Sequence, residues 1–141
     1  RALTELVRIH DWDVSGVFAD ASTTMTLGEL RQLGAFEALA FSEADYFALI
    51  SAKTASLFRA ACDLGALCGA GRHRAALARY GERLGMAFQI ADDLLDYTEG
   101  QEMTGKPTGL DLREHKVTLP LIGALREMPT ARRRTVEALF E

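Results

Sequence analysis

Apolar and polar positions follow a helical period along nearly the whole chain. Leu3, Leu6 and Val7 make residues 1–9 read as the end of a helix, and His10 to Asp13 as a short polar break. Val17, Phe18, Ala21, Met25, Leu27 and Leu30 give residues 14–33 one apolar face, with Gly34 as a stop. Ser42 with Asp45 three residues on is close to a capping box and opens a third helix that runs to about Gly69. Its apolar stripe is Tyr46, Ile50, Leu57, Ala61 and Leu64. Gly69, Gly71 and Arg72 mark a turn, and a fourth helix covers about 73–97. Residues 98–113 hold Gly, Thr, charge and Pro107 and read as a loop of functional length. A fifth helix spans about 114–127, kinked or delayed by Pro120. Pro129 and Thr130 begin a last one. Strand alternation, internal repeats and low-complexity tracts are absent from the pattern, so the predicted class is all-α.

Composition narrows the function. The 141 residues suffice for one sizeable core; 48% are hydrophobic and 26% charged, and a net charge of -4 argues against a nucleic-acid binder. No apolar run reaches the ~20 residues a bilayer needs, and no signal-peptide pattern is present. The chain opens at Arg1 directly into a helical pattern, which reads as a cut through a longer domain. Cys62 and Cys68 are turned about 240° apart on a helix, so a bridge between them is not expected. They read as buried thiols in a reducing cytoplasm. Trp12 reads as a loop or helix-start anchor, and Gly81 and Gly85 as a site of close helix packing. His10, His73 and His115 share no spacing that suggests a site, and no Ser/His/Asp or Cys/His constellation suggests nucleophilic catalysis.

Candidate chemistry concentrates in the fourth helix. From Leu84 to Asp96, nine of thirteen residues are non-polar, and Gln89, Asp92, Asp93 and Asp96 are the exceptions. These four fall in one stripe about 100° wide. A helix otherwise apolar on all sides is expected to be buried all round, so its polar stripe must face water, a cavity or a partner. Carboxylates at these spacings repel, the more so in a recess of low dielectric. Mg²⁺, a hard cation that shares its shell with waters and substrate phosphates, would compensate them. A solvated acidic edge is the alternative, although the macrodipole disfavours carboxylates near a helix C-terminus. The three lysines of the chain are Lys53, Lys106 and Lys116. Lys53 lies in the apolar stripe of the third helix beside Thr54; the other two flank the loop that follows the aspartates. Lys53 is either a snorkelling surface charge or, with the other two, a compact cation for phosphate oxygens.

The stretches "TLGELRQL", "ISAKTASLF", "FQIADDLLDY" and "TGKPTGLDLREHKVTLP", in this order and spacing, resemble the C-terminal half of a trans-type polyprenyl diphosphate synthase. The resemblance implies the isoprenoid-synthase fold, an all-α bundle around a central cavity, with residues 1–141 as its C-terminal portion and the N-terminal helices absent. It implies Mg²⁺-dependent head-to-tail condensation of an allylic diphosphate with isopentenyl diphosphate, releasing diphosphate. Asp92, Asp93 and Asp96 match the family's second aspartate-rich motif, Asp92 as a direct Mg²⁺ ligand and the other two holding the ion's waters or the ion. Lys53 and Lys106 match lysines that grip the allylic diphosphate. Thr54 and Gln89 match residues near the developing carbocation, and Lys116 a basic position at the cavity rim. Cytoplasmic homodimers are expected. The family's first aspartate-rich motif is missing from these residues, so they are expected to be inactive alone. A terpene cyclase of the same fold and a non-catalytic or regulatory subunit of a two-part prenyl synthase are the alternatives.

Overall fold

The computed structural model describes residues 2–33, 40–69, 71–98 and 109–140. Among the described residues the regular structure is helical: α1 (Ala2–Ile9), α2 (Trp12–Leu33), α3 (Glu43–Ile50), α4 (Ser56–Cys68), α5 (Arg74–Thr98), α6 (Leu110–Arg113), α7 (Leu119–Glu127) and α8 (Thr130–Glu137). A π-helical turn, Ser51–Ala55, joins α3 to α4, and a 3₁₀ turn, Gly71–His73, precedes α5. None of these helices is long and apolar enough to cross a membrane. Gly34 and the segment 99–108, with Lys106 and Pro107, lie outside the described residues.

Local chemistry accounts for the boundaries. The polar break shrinks to His10 and Asp11, because the Asp11 carboxylate accepts the Asp13 and Val14 amides (2.9 and 3.1 Å) and so caps α2 two residues earlier than the pattern suggested. Trp12 stands at that helix start 90% exposed and is not an anchor among the described residues. The capping box of α3 is present: Ser42 Oγ accepts the Asp45 amide at 3.2 Å, and Asp45 Oδ2 accepts the Ser42 amide at 3.0 Å. Pro120 sits in the first turn of α7, where its missing N–H costs nothing, so the helix starts at Leu119 rather than near 114. Part of the expected loop is ordered as α6.

The third helix departs from its predicted stripe in a way that matters for function. Buried positions step by four from Tyr46 to Ile50, then by five to Ala55, across the π turn. The extra residue rotates everything after it. Leu57 and Ala61, expected on the apolar face, are exposed, while Phe58 and Cys62 turn inward. Cys62 is therefore half-buried and Cys68 exposed, rather than both buried.

The π turn is wide, and its neighbours make room with glycine. A Cβ on Gly28 of α2 would lie 3.1 Å from Ala52 Cβ, and one on Gly85 of α5 would lie 2.6 Å from Ala55 Cα. One on Gly81 would lie 2.9 Å from Cys62 Sγ. The Cβ added at Gly85 would also lie 3.1 Å from Phe58, so Gly85 and Gly81 track in the opposite sense along α4, whose pairing with α5 is the most extensive among the described helices. The same packing corrects the expectation that α5 is buried on all sides. Its buried positions are Ala78, Gly81, Gly85 and Asp93, whereas Leu84, Phe88, Leu94 and Leu95 stay 43–53% exposed. Leu27 and Leu30 of α2 are likewise exposed. Among the described residues, the small-residue sides of both helices are the more deeply covered. A separate core forms where Val117, Leu121 and Leu125 meet Tyr97, Leu112, Val136 and Phe140.

Candidate active site

A cavity of about 540 Å³ opens between α2, α3, the π turn, α5 and the segment from α6 to the start of α7. Three of its walls come from features just described. The acidic stripe of α5 presents Asp92, Asp93 and Asp96; the π turn presents Lys53 and Thr54; residues 110–118 contribute Asp111 and Lys116. A one-residue widening at Ser51–Ala55 thus puts a lysine and a threonine on the concave side of a helix whose continuation faces the core. Such bulges recur at functional sites.

The three aspartates of the stripe have different surroundings. Asp92 is exposed at the cavity, and among the described residues it accepts no hydrogen bond. Asp93 is 6% exposed, with Tyr46 Oη donating to Oδ2 at 2.6 Å and Gln89 Nε2 donating to Oδ1 at 2.8 Å. Burial outweighs those two bonds and raises the Asp93 pKa. Asp96 is half-buried and caps α6: its Oδ1 accepts the Leu110 amide at 3.2 Å and its Oδ2 the Asp111 amide at 3.1 Å. That bond pair brings Asp111 back to the wall, where burial and then the charges of Asp96 and Asp93 push its pKa to about 6.

Two lysines line the same cavity. Lys53 Nζ is held over the cavity by Glu29 at 2.9 Å and Gln32 at 3.1 Å, both on α2. Lys116 Nζ contacts Glu114 at 2.5 Å and Asp111 at 3.8 Å, and the Glu114 bond raises its pKa. Thr54 donates to Gln89 Oε1 at 2.7 Å and so links the π turn to the acidic stripe. The structure therefore brings together Lys53, Thr54, Gln89, Asp92, Asp93, Asp96 and Lys116; Lys106 lies outside the described residues.

Sequence reasoning passed over Asp111, Tyr46, Glu29 and Gln32. Asp111 sits fifteen residues beyond Asp96 with no periodic relation to it. Tyr46 looks like any core aromatic until its hydroxyl is placed. Glu29 and Gln32 carried a usable signal, because they lie one turn apart inside "TLGELRQL" and so share a face of the helix.

No three His, Cys, Asp or Glu side chains among the described residues converge as a ready-made cage. The donor set still suits a hard divalent ion that keeps most of its waters, because such an ion needs one or two carboxylates plus substrate oxygens. Of these acids Asp92 is open to the cavity, whereas Asp93 and Asp96 are tied to protein donors.

The whole chain, residues 1–141, matches the polyprenyl synthetase family. It belongs to that family. An octaprenyl diphosphate synthase of Haemophilus influenzae is 38% identical over 128 residues, which are 89% of this chain and 39% of that protein. A heptaprenyl diphosphate synthase component 2 of Bacillus subtilis is 33% identical over 127 residues, 89% of this chain and 36% of that one. The crystal structure of a Caulobacter crescentus polyprenyl synthase complexed with calcium and isoprenyl diphosphate superposes with a TM-score of 0.82 at 36% identity, covering 99% of this chain and 48% of that chain. The chain thus spans well under half the length of the curated relatives it matches, and its all-α architecture is that of its structural neighbours.

Proposed function

We propose that these residues form the C-terminal, leaving-group half of a polyprenyl diphosphate synthase active site. The reaction is condensation of an allylic diphosphate with isopentenyl diphosphate, releasing diphosphate. The observation that carries the reading is one cavity whose lining holds Asp92, Asp93 and Asp96 together with Lys53 and Lys116, and in which Thr54 is hydrogen-bonded to Gln89. Asp92, with Asp93 and Asp96 behind it, would hold Mg²⁺, which when bound supplies positive charge to diphosphate oxygens as the allylic bond breaks. Lys53, Lys106 and Lys116 would bind the same diphosphate and stabilise its growing negative charge. Thr54 and Gln89 would orient oxygen atoms toward the delocalised allylic cation, and Leu95, Leu49 and Ile50 would keep water from quenching it. The homoallylic double bond of isopentenyl diphosphate then attacks, and a proton is lost to the departing diphosphate, so no side-chain nucleophile is needed. Magnesium as the ion, a homodimeric assembly and a cytoplasmic setting belong to the same reading and rest on family resemblance.

The test is chain elongation of labelled isopentenyl diphosphate by the complete protein. Asp92→Ala is expected to lower kcat/KM by about 100-fold or more, the scale of losing a charge-stabilising group. Unchanged elongation would refute the assignment. The relative named as a component of a heptaprenyl synthase favours a second reading, in which this protein works as one part of a two-part synthase. Elongation by the complete protein purified alone would exclude it.

A further inference from the structure

Of the acids in the cavity wall, Asp93 is the most deeply buried. A buried carboxylate is tolerated only where donors meet its lone pairs. Gln89, which meets Oδ1, lies one turn away on the same helix, so its bond fixes Asp93 only relative to α5. Tyr46, which meets Oδ2, comes from α3, 47 residues away. That bond ties the acidic wall to a second element. We propose, on the reading of this cavity as a diphosphate and divalent-ion site, that Tyr46 is a positioning residue for it: its hydroxyl sets the orientation of Asp93 and thereby the affinity of the wall for the ion.

Three observations support this beyond the single distance. Tyr46 is 1% exposed, so its hydroxyl has no exchange with bulk water to compete for it. Its backbone is fixed, because the Tyr46 amide donates to the Ser42 carbonyl at 2.9 Å in the first turn of a helix closed by a capping box. The hydrogen bonds also run in one consistent order: Thr54 donates to Gln89, Gln89 donates to Asp93, and Tyr46 donates to the other oxygen of Asp93. Each carboxylate oxygen has one lone pair so engaged, and the carboxylate plane cannot turn without breaking a bond at one end.

The test needs no turnover. The complete protein is titrated with Mg²⁺ in the presence of inorganic pyrophosphate, and thermal stabilisation is followed to its midpoint. Tyr46→Phe keeps the ring and removes the hydroxyl; its midpoint is expected to rise roughly 10–100-fold, the usual loss when an outer partner of an ion ligand is removed. A purely structural role would lower the ion-free melting temperature and leave the midpoint in place, and that result overturns the proposal. Adding Tyr46→Phe to Asp93→Asn gives a second comparison in which no buried carboxylate is left unpaired, so it survives if the single variant fails to fold. If Tyr46 acts through Asp93, the double variant shares the midpoint of Asp93→Asn; a further shift overturns the claim. Absence of any Mg²⁺-dependent stabilisation in the unaltered protein would instead sink the reading of the cavity, and this claim with it.

Discussion

Replacing Gly81 by alanine sets two effects of opposite sign against each other. On an open helix surface the change favours the helix by about 1 kcal/mol, since alanine is the better helix former. At Gly81 the new Cβ would lie 2.9 Å from Cys62 Sγ and 2.9 Å from the Phe58 carbonyl carbon, and nearer still to that carbonyl's oxygen. Carbon atoms at best contact are about 3.5–4.0 Å apart, so α4 and α5 must separate by roughly 0.5–1 Å. The sulfur can swing aside, but the Phe58 carbonyl belongs to the backbone and cannot. Overpacking of this kind costs about 1–3 kcal/mol. With the obstacle rigid, the upper part of that range applies, and the net loss is about 2 kcal/mol. Urea unfolding should show it as a midpoint lowered by about 1 M, for an m-value of about 2 kcal/mol/M. Gly16→Ala is the control: it is exposed in α2 with nothing within 4 Å of the added carbon, and it should raise the midpoint. If Gly81→Ala proves as stable as the unaltered protein while Gly16→Ala gains, the close approach of α4 and α5 is not a determinant of this fold.

Two further outcomes follow from the site and its supports. Because burial lifts Asp111 from 3.8 to about 6, the folded protein holds a proton there that the unfolded chain releases. Its contribution to stability therefore falls as pH rises between roughly 4 and 6, leaving a cost above that window of at most about 3 kcal/mol, softened by Lys116. In ion-free buffer, Asp111→Asn should stabilise the protein by about 1–2 kcal/mol near pH 7 and do nothing near pH 4, read by urea unfolding at both pH values; equal effects at the two would contradict the shift. Ser42→Ala removes one arm of the α3 capping box and should cost about 1 kcal/mol in the same assay, with no measurable loss weighing against the cap's contribution.

Much of the site could be read along a single helix. Gln89, Asp92, Asp93 and Asp96 share a face of α5 because their spacing fixes their angle about its axis, whatever packs around them. Spacing could not divide the three aspartates by role. Asp92 opens to the cavity, Asp93 is enclosed by Tyr46 and Gln89, and Asp96 is taken up by backbone amides of α6. Those differences depend on groups that arrive from 47 residues upstream and from 14–15 residues downstream.

The cap at Ser42 and the grouping of acids on one face were settled by sequence, because each depends on neighbours within a turn or two. Whether an apolar side chain is covered was not, as Phe88 and Leu84 remain open while glycines beside them are buried. Nor was the register beyond Ile50, where one additional residue in the π turn rotates Phe58 and Cys62 inward and delivers Lys53 and Thr54 to the cavity. Local periodicity records an angle about a helix axis. Depth, register across a bulge and the partner of a buried charge are set by how separate helices meet, and only the folded arrangement contains that.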